Sequence, residues 1–76
     1  GKIRMTLEVG NKIGVMADIT KTIADSGINI DSLIVCQSYE NKKELVVRLD
    51  DRADKLEEIK SKLEERGYKV IHVVNF

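Results

Sequence analysis

The residues with the most chemical potential are Gly10-Asn11-Lys12-Ile13-Gly14, followed by Val15. Two glycines let the main chain turn sharply and leave its amides open to a ligand, with no Cβ in the way. A helix starting near Gly14 adds unpaired N–H groups and the positive end of its dipole, a combination that suits a small anion such as a carboxylate. Asn11 can donate and accept, as the two charged ends of an amino acid require. A tight strand-to-helix turn without a ligand accounts for the same residues.

These residues need elements to hold them. Ile3, Met5, Leu7 and Val9 alternate with Lys2, Arg4, Thr6 and Glu8, which predicts a strand with one covered face. From Gly14 the period lengthens: Val15, Met16, Ile19 and Ile23 mark a helix that Gly27 stops. Ile28 to about Ser38 reads as a strand and Tyr39–Lys43 as a turn. Leu45, Val47 and Leu49 then alternate through a third strand. Asp51 is a plausible N-cap and Asp54 a first-turn charge for a helix with the stripe Leu56, Ile59, Leu63, where Glu58 and Lys62 stand i,i+4. Gly67 ends that helix, and Tyr68–Phe76 is the last strand.

The apolar pattern thus recurs at an offset of forty residues, from Met5 and Leu45 through Gly27 and Gly67. Gly10–Gly14 is where the recurrence fails, because its counterpart is Asp50-Asp51-Arg52-Ala53-Asp54. Shared positions are expected to be scaffold, and the glycine loop to be functional. The order β-α-β-β-α-β, with right-handed crossovers, predicts an α+β ferredoxin-like domain. Both helices cover one face of an antiparallel sheet in the order 4-1-3-2.

At 76 residues, the chain reads as a single domain over 1–76 with a small core, which association with a second copy or a larger protein would reinforce. Its start at Gly1 rather than methionine reads as a piece of, or attachment to, such a protein. Thirteen basic and thirteen acidic residues give no general field for nucleic acid or anionic lipid. No run approaches the roughly 20 apolar residues of a membrane span. A lone Cys36 fits a reducing compartment, so the cytoplasm is the expected location.

Asn11-Lys12-Ile13-Gly14-Val15-Met16-Ala17-Asp18-Ile19, with Ile23-Ala24-Asp25-Ser26-Gly27-Ile28-Asn29-Ile30, resembles the signature of the ACT domain family. That signature runs Asp or Asn, x-Pro-Gly-Val-Leu, then a helix ending in Gly-Ile-Asn-Ile. The resemblance implies a regulatory domain that pairs, often with sheets side by side, and binds an amino acid or similar effector between subunits. In serine-sensing members the contacts come from positions that Asn11 and Asn29 occupy here. Two departures weaken serine as the ligand: Val9 stands where those members carry a His, and Ile13 replaces the usual Pro. The expected ligand-binding residues are therefore Asn11, Lys12, Ile13, Gly14, Val15 and Asn29. Without the resemblance, Asn29 reads as a polar residue capping the helix-to-strand turn; with it, as a ligand contact from the neighbouring subunit.

Rival functions of this fold fail on chemistry. None of Tyr39, Tyr68 and Phe76 falls on the two central strands, as base stacking on RNA would need. The first loop has no sulfur for copper and no arginine cradle for phosphate. No nucleophile–base pair or carboxylate dyad stands out, so neither catalysis, a metal nor a cofactor is expected. Cys36 is expected as a small buried hydrophobe, His72 as a strand residue at an edge or interface, and Tyr68 as core with its hydroxyl at an edge. Alternation places Leu33, Val35, Ile71 and Val73 on the open sheet face, where exposed β-branched edges favour self-association. Two functions remain: an effector-sensing regulatory domain, or an assembly domain without a ligand.

Overall fold

The computed structural model describes residues 2–50 and 53–76. Strand β1 (Lys2–Gly10) leads into helix α1 (Val15–Asp25), followed by β2 (Ile30–Ser38) and β3 (Lys42–Asp50). A 3₁₀ turn, Ala53–Lys55, precedes α2 (Leu56–Glu65), and β4 (Lys69–Asn75) ends the fold. The strands form one antiparallel sheet in the order β2-β3-β1-β4, the expected ferredoxin-like βαββαβ arrangement.

The core lies between the helices and one face of this sheet. Ile3, Met5, Leu7 and Val9 of β1 and Leu45, Val47 and Leu49 of β3 are buried against Ile19, Ile23, Ile59 and Leu63. Met5 with Leu45, Leu7 with Val47, Val9 with Leu49, Ile19 with Ile59 and Ile23 with Leu63 are the repeat-related pairs. The forty-residue recurrence is thus a core written twice. Gly27 and Gly67 both take positive φ, 80° and 90°, where the helices stop.

The edge strands depart from simple alternation. Register shifts between Ile30 and Ser32 and between Val35 and Gln37 put both Ile30 and Leu33 on the core side of β2, opposite Leu49 and Val47. Val35 stands opposite the buried Leu45 but remains exposed at the edge. In β4 the shift opposite Thr6 and Leu7 leaves Ile71 in a bulge and turns Val73 to the core beside Met5. The expectation that Leu33, Val35, Ile71 and Val73 share the open face is therefore wrong, because each bulge inverts the pleat beyond it. Cys36 sits at the second β2 shift and is exposed, contrary to the buried hydrophobe expected. His72 is exposed on edge strand β4, opposite Thr6.

The second helix also starts differently. Lys55 occupies its N-cap position, so Asp54 lies in the 3₁₀ turn rather than the first α-turn, and Glu58 pairs with Lys55 at 3.8 Å rather than with Lys62. The proposed cap, Asp51, lies outside the described residues.

Candidate functional site

The Gly10–Gly14 loop closes the end of the sheet where β1 stops and the β2–β3 hairpin turns. Gly14 is the N-cap of α1 with φ 87° and offers no side-chain cap. Its carbonyl accepts the first helical hydrogen bond, from the Asp18 N–H at 2.9 Å. The Val15 N–H reaches the Lys12 carbonyl only at 3.4 Å, and those of Met16 and Ala17 meet no acceptor among the described residues. A Cβ built on Gly14 would meet nothing within 4 Å, so open space adjoins the turn at this residue. Ile13 stands fully exposed beside it, at 106%.

Asn11 has a task the sequence did not disclose. Its Nδ2 donates to the Tyr39 carbonyl at 2.9 Å and, more weakly, to the Glu40 carbonyl at 3.4 Å, while its N–H donates to the Asn41 carbonyl at 3.1 Å. Asn11 thereby ties the loop to the β2–β3 hairpin. Its Oδ1 is the atom left for a ligand, since it accepts from no donor among the described residues. Tyr39 lies 28 residues away in sequence, beyond the reach of local pattern.

The loop also borders a shallow cleft of about 450 Å³ whose charged and polar lining is Glu8, Lys12, Asn41, Lys42 and Lys69, beneath Gly10. Lys42 pairs with Glu8 at 3.6 Å, which leaves the ammonium groups of Lys12 and Lys69 in excess. The excess attracts anions, with a strength that salt screens. Among the described residues no group of His, Cys, Asp and Glu could hold a metal ion.

Asn29 is not brought to this loop within one chain. Its side chain is exposed, and its carbonyl accepts from the Asp50 N–H at 3.3 Å, at the opposite end of the sheet. Lys42 pairs with Gly10 at one end of β3 and Asp50 with Lys2 at the other. Eight steps of strand separate them, about 26 Å at ~3.3 Å each.

A second polar cluster joins the helices. Asp18 of α1 accepts from Arg66 Nε at 2.8 Å and Nη2 at 2.5 Å, and from the Tyr68 hydroxyl. The Arg66 guanidinium foremost, then the Tyr68 hydroxyl, holds the Asp18 carboxyl below its ordinary pKa. Burial, then the bond to Asp18, pushes the Tyr68 phenol up. Tyr68 thus packs against the core with its hydroxyl at the rim, as expected. Asp18 is thereby tied to a residue 48 positions on, a partner that a helix pattern cannot reveal.

The AHAS small subunit-like ACT domain model matches residues 5–72. The chain belongs to that family. No curated protein sequence is significantly similar to this ACT domain. Among solved structures it is similar to the ligand-free regulatory subunit of aspartate kinase from Thermus thermophilus, with a TM-score of 0.77 and 18% identity over 96% of this chain and 50% of that one. It is also similar to the ACT domain from GTP pyrophosphokinase of Chlorobium tepidum, with a TM-score of 0.72 and 18% identity, covering 99% and 96% of the two chains. An ACT domain protein from Streptococcus pneumoniae gives a TM-score of 0.72 at 18% identity over 96% and 86%. At these identities the structures establish the shared fold. This ACT domain spans half the length of the Thermus subunit.

Proposed function

We propose that this domain is the effector-sensing module of a larger or associated cytoplasmic protein. It binds an amino acid or similar carboxylate-bearing molecule between two copies and performs no catalysis itself. The observation that carries the reading is the start of α1: Gly14 holds the first-turn amides open, beside a lysine-rich cleft that favours negative charge. In this reading the ligand carboxylate takes the Val15 and Met16 amides. Asn11 Oδ1 accepts from the ammonium, Lys12 supplies charge, and Ile13 covers the aliphatic part.

Asn29 enters from the second copy. β2 is an edge strand running from the Asn29 end of the sheet to the Asn11 end. Antiparallel pairing of two β2 edges, centred on Ile34, lays the Ile30 end of one copy beside Ser38 of the other. Asn29 of the second copy then adjoins the hairpin that Asn11 holds, so the site is completed only in a pair. The similar aspartate kinase structures are of regulatory subunits, which accords with this role.

Asn11 bonded to the hairpin favours a second reading, an assembly domain in which the loop is purely structural. A thermal-shift screen of the proteinogenic amino acids separates the two. A ligand at a hundred times its Kd stabilises the folded state by about 2.7 kcal/mol. At least one amino acid is expected to raise the melting temperature, less so in Asn11→Ala. No shift at millimolar concentration for any of them would defeat the sensor reading.

A further inference from the structure

Two arginines on the open face of the sheet have no acidic partner among the described residues. Arg4 of β1 and Arg48 of β3 stand directly opposite on the two central strands, an arrangement unfavourable for like charges. The Phe76 ring holds them there, its centre 5.5 Å from Arg4 Cζ and 5.1 Å from Arg48 Cζ, so both guanidinium groups share one small patch. Arg48 Nε is buried without an acceptor, and Ser32 Oγ, beside it in register, is buried and unpartnered too and does not supply one. The acids at this end of the sheet are engaged elsewhere, since Asp31 and Asp50 both pair with Lys2, at 3.6 and 3.2 Å. Lys2, Arg4 and Arg48 against those two carboxylates leave one positive charge in excess. Glu8 and Glu44 stand four residues along the same strands, about 13 Å away at ~3.3 Å per residue. That exceeds the ~10 Å screening length at about 0.1 M salt, so those glutamates and the lysines around them do not neutralise the pair.

We propose that Arg4 and Arg48 together bind a phosphoryl group, either inorganic phosphate or the phosphate of a small monoester. A carboxylate brings one charge and two oxygens, which a single guanidinium fork already satisfies. A phosphoryl group brings about 1.5–2 negative charges at pH 7 and three acceptor oxygens, enough to occupy both arginines at once. Bound between them, it turns the repulsion across the strands into two attractions. It also returns acceptors to Arg48, whose guanidinium has lost part of its hydration. Phe76 fixes both side chains beforehand, which lowers the ordering entropy that binding costs. Val74 opposite Arg4 and the neighbouring Val46 and Ile34 border the pair with apolar surface. Ile34 and Phe76 are 54% and 50% exposed there, open to the organic part of a monoester. This site is separate from the glycine loop, because Arg4 lies six residues from Gly10 on β1, about 20 Å at ~3.3 Å per residue. It goes beyond the effector reading and does not rest on it.

NMR titration of the arginine Nε–Hε signals of the full chain tests the proposal, with ionic strength held constant by chloride. Inorganic phosphate and phenyl phosphate are each expected to shift the Arg4 and Arg48 signals saturably. Acetate, which engages one guanidinium fewer, is expected to bind about tenfold more weakly. Arg4→Gln and Arg48→Gln are each expected to weaken phosphate binding by about tenfold or more, and Phe76→Leu by about twofold to fivefold. Lys12→Ala/Lys69→Ala alters only the cleft at the loop end and is expected to leave the Arg48 titration unchanged. Tighter binding of phenyl phosphate than of inorganic phosphate assigns the site to an ester, and equal or weaker binding assigns it to free phosphate; both support the phosphoryl site. Arginine signals that do not move, acetate binding as tightly as phosphate, or a lysine variant as impaired as the arginine variants overturns it. If the amide spectrum shows an arginine variant unfolded, the wild-type comparison decides: preference for phosphate over acetate supports the proposal and parity overturns it.

Discussion

Gly14→Ala isolates the loop from the rest of the fold. An L-residue held at φ 87° costs about 1–2 kcal/mol in backbone conformation. Alanine returns roughly 0.4–1 kcal/mol of this by restricting the unfolded chain. The space around the new methyl is empty to 4 Å, so no steric penalty is added and a net loss of about 1 kcal/mol is expected. For a domain of this size that lowers the melting temperature by about 4–8 °C. Gly27→Ala is the matched control: its φ is 80°, its surroundings are equally open, and it lies at the far end of α1. The two variants are therefore expected to lose similar stability in urea titration. Only Gly14→Ala is expected to lose the effector-induced thermal shift, since its methyl projects where the ligand approaches. A Gly14→Ala variant that keeps the full shift refutes the placement of the ligand at these amides. A stability loss above about 3 kcal/mol refutes the account of the loop as open.

Asn11→Ala removes the bonds to the Tyr39 and Glu40 carbonyls, and a loss of about 0.5–1.5 kcal/mol is expected by chemical denaturation, with faster amide exchange in the hairpin. Leu63→Ala empties a fully buried site between α2 and the sheet; a loss of about 2–5 kcal/mol is expected, enough to leave much of so small a domain unfolded at 37 °C by circular dichroism. The Asp18 carboxyl is held below its ordinary value of 3.8, so its stabilising contribution is complete above that pH and disappears as pH falls through the folded-state pKa. Asp18→Asn is accordingly expected to lower stability at neutral pH and to flatten its decline below pH 3.8, measured by urea titration across pH. Exposed Cys36 is expected to react with a thiol reagent in the native protein nearly as fast as in denaturant, and Cys36→Ser to change stability by less than about 0.5 kcal/mol.

The fold was legible because β1 and β3 alternate without interruption and their helices repeat the same stripe. A pattern that occurs twice fixes which faces meet. The edge strands were not legible, since Ile28–Asp31 alternates but Leu33-Ile34-Val35-Cys36 is apolar throughout, and the run offers no phase from which to place a bulge. Cys36 was misjudged for that reason. At the loop, glycine spacing and the residues around it singled out the segment on which the proposed site is built. The bond from Asn11 to the hairpin, and the gathering of Lys12, Lys42 and Lys69 at one cleft, depend on strand pairing between distant segments. The Asp18–Arg66–Tyr68 contact is likewise tertiary, and each of its members looks like ordinary helix or edge surface in isolation.

Lys2 and Phe76 exchange both main-chain hydrogen bonds, at 2.5 and 2.8 Å, beside the end of β3 that carries Asp50. Any polypeptide joined ahead of the first strand and any joined behind the last would depart from the same corner, on neighbouring β1 and β4. A host protein could accept this unit within a single surface loop, and both junctions would swing together if the unit tilted. The hairpin at Tyr39–Asn41 lies at the opposite pole, so ends relocated there would test whether the corner or the pole is where tethering matters.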